Sequence, residues 1–231
     1  LMVDYLHPKL RKLFNEIAES RLVYFVRDKK SFRTEHLKPA GIVVDTLVPF
    51  FRVSVSKNQY EIECRTKLNG VEVSITENEI DSSLLFFYNE NLFMWGRPED
   101  VALVMRFHKK GKLTISKSDW PEQLEKLVLP LSKEYQVEFD PALVSAIKDG
   151  EPEKRIVLQE KGDYLLFQPV FSYKGFETRP GGKDELILPD GDKVAIVHRD
   201  RAIEHDFINK LELLHSNFIR PGDGNQLALK G

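Results

Sequence analysis

The sequence predicts an α+β fold built mainly from antiparallel sheets. From Phe51 onward, apolar and polar residues alternate with period two over several short runs, which is typical of strands with one face in water. Short turn signals such as Asn69-Gly70 separate these runs, so neighbouring strands are expected to pair antiparallel. Strand patterns outnumber helical ones, and the chain carries no internal repeat.

The first element is predicted to be an amphipathic helix followed by a strand. Four apolar residues recur at helical spacing near the N terminus: Leu10, Leu13, Phe14 and Ile17. Pro8 is expected at the first helical position, where its missing N–H costs nothing. A strand from Leu22 to Val26 is expected next.

The next segment predicts an antiparallel meander with one wet face. The apolar members of the alternation are Phe51, Val53, Val55, Tyr60, Ile62, Cys64, Val71, Val73 and Ile75. Asn69-Gly70 is the strongest hairpin signal because both residues tolerate positive φ. A second hairpin is expected from Leu84–Tyr88 and Leu92–Trp95.

Two short helices and a strand are then expected. The first helix begins at Pro98 and is predicted to bury Val101, Val104 and Met105. The second helix is capped by Asp119, with Glu122 three residues on.

Pro130 is expected to kink or end that second helix. A strand at Gln136–Phe139 and a helix at Pro141–Lys148 follow. The turn-rich Asp149-Gly150-Glu151-Pro152 then predicts a boundary between an N-terminal lobe, 1–149, and a C-terminal lobe, 150–231.

The C-terminal lobe is predicted to hold two hairpins and a helix. Ile156–Gln159 pairs with Tyr164–Tyr173, and Leu186–Leu188 pairs with Val194–Val197. The helix starts at Asp200 as N-cap and is expected to carry one apolar face: Ile203, Phe207, Leu211, Leu214 and Phe218.

Composition limits the classes of function. The 231 residues are 42% hydrophobic and 30% charged, as in a folded globular chain. A net charge of −2 argues against a surface that is wholly a nucleic-acid footprint, so any such contact is expected to be a local patch. The single Cys64 excludes an intrachain disulfide. No apolar run is long enough to span a bilayer, so a membrane partner is not expected. Together these two observations make the cytoplasm the expected location.

A segment of the C-terminal lobe resembles a known family. An apolar strand ends in a Phe-x-Tyr-x-Gly corner, Phe171, Tyr173 and Gly175, and an Arg-Asp-Arg-Ala-x-Glu junction runs from Arg199 to Glu204. Both are similar to the non-ATPase accessory, helicase-associated region that precedes the motor in bacterial SWI/SNF-family helicase-like proteins. The rest of the chain resembles that region only in its general order of elements.

The resemblance implies a non-catalytic module of an ATP-dependent DNA translocase. The parent protein is then expected to be an ATPase whose motor lobes are this module's partners, while the module itself is not an enzyme and needs no cofactor. The loose segment that begins at Arg220 also suggests a fragment of something longer.

Motifs for catalysis are weak. Gly181-Gly182-Lys183 lacks the flanking strand-to-helix pattern of a phosphate loop, and a mobile hairpin loop is the simpler interpretation. Four neighbouring residues could contribute metal ligands, but strand and helix positions make convergence unexpected: His198, Asp200, Glu204 and His205. A rival hypothesis is a divalent-metal nuclease built on four residues that faintly mimic a restriction-type strand: Asp45, Glu61, Glu63 and Arg65.

A basic run is the best candidate for a binding site. Five cationic side chains and no acid occur between positions 106 and 117: Arg106, Lys109, Lys110, Lys112 and Lys117. Cations at a helix end also complement the helix dipole, which is the structural explanation. The functional hypothesis is weak, nonspecific contact with duplex DNA, with Phe107 and His108 available to stack on bases.

The family motif has a structural interpretation as well. Phe171 and Tyr173 are expected to point inward together, with the Tyr173 hydroxyl bonded to a loop. Arg199, Asp200 and Arg201 are expected to form a capping cluster. Besides accessory module and nuclease, a purely structural interaction domain therefore remains as a third hypothesis.

Overall fold

A computed structural model describes residues 2–18, 23–26, 37–80, 82–107, 110–215, 217–219 and 227–230. Of the predicted elements, Leu22 lies outside these ranges. The α-helices within them are α1 (Met2–Ile17), α2 (Pro98–Phe107), α3 (Trp120–Gln123), α4 (Leu129–Glu134) and α5 (Arg201–Leu213).

The strands of the described residues are as follows: β1 (Tyr24–Val26), β2 (Leu37–Pro39), β3 (Gly41–Leu47), β4 (Phe50–Ser56), β5 (Gln59–Leu68), β6 (Val71–Ser74), β7 (Leu85–Tyr88), β8 (Asn91–Trp95), β9 (Lys112–Ser116), β10 (Val137–Phe139), β11 (Val144–Gly150), β12 (Glu153–Lys161), β13 (Tyr164–Tyr173), β14 (Phe176–Thr178), β15 (Glu185–Asp190), β16 (Lys193–Arg199) and β17 (Leu227–Lys230). Most pair antiparallel, which confirms the predicted α+β class. Parallel pairs join β3 to β8, β10 to β4 and β11 to β16.

Contacts divide the chain into two compact units. The first comprises residues 1–120 and 134–140, and the second comprises residues 121–133 and 141–231. These units differ from the predicted lobes 1–149 and 150–231. Strand β11 lies within the second unit and pairs with β16 as far as Gly150.

The main sheet of the first unit is the predicted meander with two added strands. Its order is β10-β4-β5-β6. Strand β9 pairs with the first half of β5, and β6 pairs with the second half of β5. Most of the predicted inward face is buried: Phe51, Val53, Tyr60, Ile62, Cys64, Val73 and Ile75. Val55 and Val71 are 37% and 62% exposed, because each lies next to a hairpin turn at the edge of the sheet. Asn69 and Gly70 have φ of 50° and 82°, so the predicted hairpin turn is confirmed.

The first helix begins earlier than predicted. Helix α1 starts at Met2, so Pro8 lies inside it and not at its first position. His7 is buried beside this proline and its Nε2 lies 2.8 Å from the Trp95 carbonyl oxygen. This contact joins residues 88 positions apart, so apolar spacing within the helix does not predict it.

Helix α2 starts at Pro98 as expected, but its buried stripe differs. Val101 and Val104 are buried, whereas Met105 is 54% exposed. The stripe continues to Phe107 at a spacing of three residues, and this turns Met105 toward solvent.

Pro130 does not end its helix. A π-helical turn, Leu124–Val128, precedes it, and α4 continues through it to Glu134. Proline lacks an N–H, and its ring crowds the carbonyl four residues earlier, which here belongs to Lys126. Because Lys126 lies in the π-helical turn, whose backbone is wider than that of an α-helix, the ring is accommodated.

The predicted helix at Pro141–Lys148 is wrong. Pro141–Leu143 forms one 3₁₀ turn, and Val144 begins β11. Parallel pairing with β16 decides the conformation, because a weak local helix preference yields to a ladder of hydrogen bonds.

Besides the helical segment at 121–133, the second unit holds two sheets and α5. Their orders are β11-β16-β15 and β12-β13-β14, with β17 also paired to β13, so both predicted hairpins are confirmed. A core forms from Phe171, Tyr173, Leu188 and Val197, against which Phe207 and Ile208 pack. Helix α5 ends at Leu213, so Leu214 is 74% exposed and Phe218 does not extend the helical face.

Candidate nucleic-acid interface

Three of the predicted basic residues surround the turn between α2 and β9. Arg106 occupies the last turn of α2, Lys110 follows the helix and Lys112 opens β9, whereas Lys117 follows the far end of that strand. All four are exposed, and we call Arg106, Lys110 and Lys112 the cationic turn. Lys109 and His108 lie outside the described residues.

Gly111 sets the geometry of this turn. It has φ of 67°, and its N–H donates to the Phe107 carbonyl over 2.6 Å, which ends the helix with a left-handed cap. Its own carbonyl accepts from the Cys64 N–H at 2.9 Å. The turn is thereby fastened to the middle of β5.

Two hydroxyl side chains lie against Gly111. A Cβ there would sit 2.5 Å from Thr76 Cγ2 and 3.4 Å from Ser74 Oγ, so the backbone approaches them closely. The hydroxyl oxygens of Ser74 and Thr76 are 2.9 Å apart. The sequence did carry a signal for this site, because Ser74 and Glu77 form a capping box.

One member of the cationic turn is already paired. Lys112 Nζ donates to both carboxylate oxygens of Glu61, each at 2.9 Å, yet the Lys112 side chain remains 48% exposed. An additional phosphate contact by this lysine therefore competes with Glu61.

The solvent-exposed face of the main sheet carries a network of ion pairs. Arg52 Nη2 lies 2.9 Å from Glu72 and 2.8 Å from Glu138, and Arg65 lies 2.9 Å from Glu63. Since these cations face carboxylates, the face as a whole does not attract anions.

The expected stacking role of Phe107 is wrong. Its side chain is 1% exposed, and its ring centroid is 5.4 Å from that of Phe51. The helical stripe that buries Val104 also carries Phe107 into the core, so this ring cannot reach a base.

Two carboxylates of the nuclease hypothesis are paired with cations. Glu61 pairs with Lys112 and Glu63 pairs with Arg65, while Asp45 lies on β3 in a different sheet. Within the described ranges, no group of three or more His, Cys, Asp or Glu side chains is placed to hold a metal ion.

The residues of the second suggested metal cluster contact separate partners. His198 Nδ1 lies 3.4 Å from Asp149, and its Nε2 lies 3.3 Å from Glu185. Glu204 points instead into a buried pair with Arg199. The strand and helix positions of these residues keep them from converging on one ion.

The family-like motif forms a buried polar cluster. Phe171 and Tyr173 point inward as predicted, at 0% and 1% exposure. The Tyr173 hydroxyl donates to Glu204 Oε1 at 2.7 Å and accepts from the Asp200 N–H at 3.1 Å. Burial, together with the Glu204 carboxylate, raises the pKa of Tyr173 to about 12.

Arg199 does more than the predicted capping. Its Nε and Nη2 each donate to the Glu204 carboxylate at 2.8 Å, and both side chains are almost fully buried. Asp200 does cap α5, accepting from the Ile203 N–H at 2.9 Å. The sequence marked this junction but gave no sign that Glu204 is buried.

The Gly181-Gly182-Lys183 segment is bound to the same cluster. It connects β14 to β15, which belong to different sheets, so it is not the loop of a hairpin. The Gly181 carbonyl accepts from Arg199 at 2.6 Å and from Arg201 at 3.0 Å, and Lys183 Nζ donates to the Ser132 carbonyl. A groove of about 430 Å³ runs beside this loop, but the loop's lysine and its arginine neighbours are used in holding it.

No family model, no curated protein and no solved structure matches this chain. Among the helices that the structure describes, none has the length and apolar character needed to cross a membrane.

Proposed function

We propose that this chain is a non-catalytic accessory module of a bacterial SWI/SNF-like ATP-dependent DNA translocase. Its protein partners are the motor lobes of the same parent chain. Its nucleic-acid contact is weak, nonspecific binding of duplex DNA through the cationic turn. The chain supports or regulates the motor, and the motor supplies ATP hydrolysis.

The observation that carries the DNA contact is the exposure of the cationic turn beside two hydroxyl groups. Cationic side chains, hydroxyls and backbone N–H groups are the donors that proteins use on phosphates. Arg106 and Lys110 project from a turn that Gly111 fixes against the sheet, next to Ser74 and Thr76. Since the net charge is −2, the contact is local and its dissociation constant is expected at roughly 10⁻⁴ to 10⁻⁶ M.

The accessory role rests on the C-terminal motif. Its residues, Phe171, Tyr173, Arg199 and Glu204, are buried and contact one another or the core, although Arg199 also borders the groove beside the Gly181 loop. Buried contacts of this kind stabilise a fold and do not by themselves supply a reaction. This supports a module whose resemblance concerns structure more than chemistry.

The test is fluorescence anisotropy of a labelled duplex at several salt concentrations. Wild type is compared with the double variant Arg106→Ala/Lys110→Ala, and the control is Lys12→Ala/Lys126→Ala. The control removes the same charge from helix positions whose side chains are 81% and 71% exposed.

Loss of two phosphate contacts should flatten the slope of log affinity against log salt by about two units, while the control keeps the wild-type slope. Equal slopes in all three proteins would assign the cationic turn to solvation of the helix end. The chain would then be an interaction domain without nucleic-acid contact.

A further inference from the structure

Strand β12 presents an exposed sheet edge. All nine of its residues, Glu153–Lys161, are exposed, on both faces of the strand. One edge pairs with β13 along its whole length, and within the described residues no strand pairs with the other. The centre of the strand is apolar and open to solvent, since Ile156, Val157 and Leu158 are 39%, 49% and 57% exposed.

The register of the β12-β13 hairpin determines which backbone groups point outward. Gly162 and Asp163 join Lys161 to its partner Tyr164, and a two-residue turn closes on a hydrogen-bonded pair. Hydrogen-bonded and non-hydrogen-bonded pairs then alternate along the ladder. The outward N–H and C=O groups accordingly belong to the even-numbered residues of the strand: Lys154, Ile156, Leu158 and Glu160.

The turn at the far end of β13 gives the same result. Tyr173 pairs with Phe176 of β14 across Lys174-Gly175, which is again a two-residue turn. Tyr173 therefore bonds toward β14, and its neighbour Ser172 bonds toward Glu153 of β12. Odd-numbered residues of β12 face β13, so the even-numbered ones face outward.

We propose that β12 pairs antiparallel with β12 of a second copy of this chain, about a two-fold axis through Val157. In this register Ile156 lies opposite Leu158, and Lys154 lies opposite Glu160. Both pairs join residues whose backbone groups point outward, so the hydrogen-bond pattern of the free edge is satisfied.

The charge pattern favours this partner and this register. The sequence of β12 is complementary to itself when reversed: Glu153 meets Lys161, Lys154 meets Glu160, and Arg155 meets Gln159. Cross-strand pairs of opposite charge stabilise a sheet, and like charges directly opposite destabilise it. Shifting the axis to Leu158 would place Arg155 opposite Lys161, and shifting it to Ile156 would place Lys154 opposite Leu158 and Glu160 opposite Pro152. Both neighbouring registers of the same hydrogen-bond parity therefore lose the pairing of Lys154 with Glu160.

The central apolar residues add to this pairing. On the axis, Val157 of one copy lies opposite Val157 of the other. On either side of this pair, Ile156 of one copy lies opposite Leu158 of the other. These exposed side chains gain apolar neighbours on both faces of the joined sheet. A second copy thus supplies backbone, charge and apolar complements in one arrangement.

The experiment is sedimentation equilibrium of the full 231-residue chain and of two single charge variants, Lys154→Glu and Glu160→Lys. Wild type is expected to dimerise. Each variant alone places like charges opposite one another twice, so its dissociation constant should rise by about tenfold or more.

An equimolar mixture of the two variants provides the decisive arm. In the mixed dimer, positions 154 and 160 of one chain are both acidic and those of the other chain are both basic, so each cross-strand pair again joins opposite charges. Mixing Lys154→Glu with Glu160→Lys should therefore restore the wild-type affinity. A wild type that stays monomeric overturns the proposal, as does a mixture no tighter than either variant alone.

Cysteine substitution tests the register independently. On the axis, the Cα atoms of two Val157→Cys residues would lie about 4.5 Å apart, within the range of a disulfide. Two Leu158→Cys residues would lie about 8 Å apart, beyond it. Oxidation should cross-link the Val157→Cys variant and leave the Leu158→Cys variant largely without a cross-link. Equal cross-linking of the two variants would contradict the register. The native Cys64 is buried, so it does not compete in this reaction.

Discussion

Glu204→Ala should destabilise the second unit strongly. Glu204 accepts from Arg199 twice at 2.8 Å and from the Tyr173 hydroxyl at 2.7 Å. The side chains of Arg199 and Glu204 are 1% and 4% exposed, so the substitution leaves a buried guanidinium without its carboxylate.

The expected size follows from these contacts. Removing one partner of a buried ion pair costs about 3–5 kcal/mol, because the remaining charge is uncompensated. Arg199 keeps hydrogen bonds to the carbonyls of Arg179 and Gly181, at 2.8 and 2.6 Å. These bonds partly solvate the cation, which places the expected loss near the lower end, at about 3 kcal/mol.

The assay is urea unfolding followed by circular dichroism. The matched control is Asp206→Ala on the same helix, which breaks the pair with Lys210, where the side chains are 58% and 71% exposed. That control should lose at most about 0.5 kcal/mol, since exposed pairs contribute little. A loss below about 1 kcal/mol for Glu204→Ala would refute the buried-pair account.

Three further outcomes are expected. Gly70→Val should lower the free energy of unfolding by about 1 kcal/mol or more, because Gly70 has φ of 82° and no atom lies near its missing Cβ, which leaves backbone strain as the cause. The control is Gly70→Asn, because asparagine tolerates positive φ. An unchanged urea midpoint for the valine variant would contradict the turn. Tyr173→Phe should cost about 1–2 kcal/mol at pH 7. Because the pKa of Tyr173 is raised to about 12, the stabilisation by its hydroxyl is present below about pH 10 and is lost as pH rises through 12. The difference in free energy of unfolding between wild type and Tyr173→Phe should therefore narrow between these pH values. A difference that stays constant with pH would contradict this expectation. Calorimetry should detect no micromolar ATP binding, since the Gly181 carbonyl and Lys183 are engaged within the protein, and saturable binding would contradict this.

Local signals predicted the hairpins well. Alternation with period two and the Asn69-Gly70 turn depend on neighbouring residues only, so the sequence displays them directly. The same holds for Asp200 as a helix cap, because an N-cap bond spans a few residues.

Elements that depend on distant partners were not predictable in this way. The segment at Pro141–Lys148 carries a helical pattern, but strand β16 captures its greater part as β11. The parallel pairing of β3 with β8 likewise joins segments that no short turn connects.

The candidate site was predicted in part. The basic run placed Arg106 and Lys110 correctly on the surface, because charged residues at a helix end face water. Sequence did not show that Glu61 pairs with Lys112, since 51 positions separate them, nor that Phe107 lies in the core. Strand pairing between β5 and β9 brings Glu61 to Lys112, and the packing of α2 carries Phe107 into the core.

The most direct test of the proposed function is the salt dependence of duplex binding by the wild-type chain. Anisotropy is measured with two unrelated duplex sequences between about 50 and 200 mM salt. Similar affinities are expected for both, with a slope of log affinity against log salt of roughly −2 to −3, since the turn offers two or three phosphate contacts at about −0.9 each. Absence of binding, or binding that salt does not weaken, would contradict it.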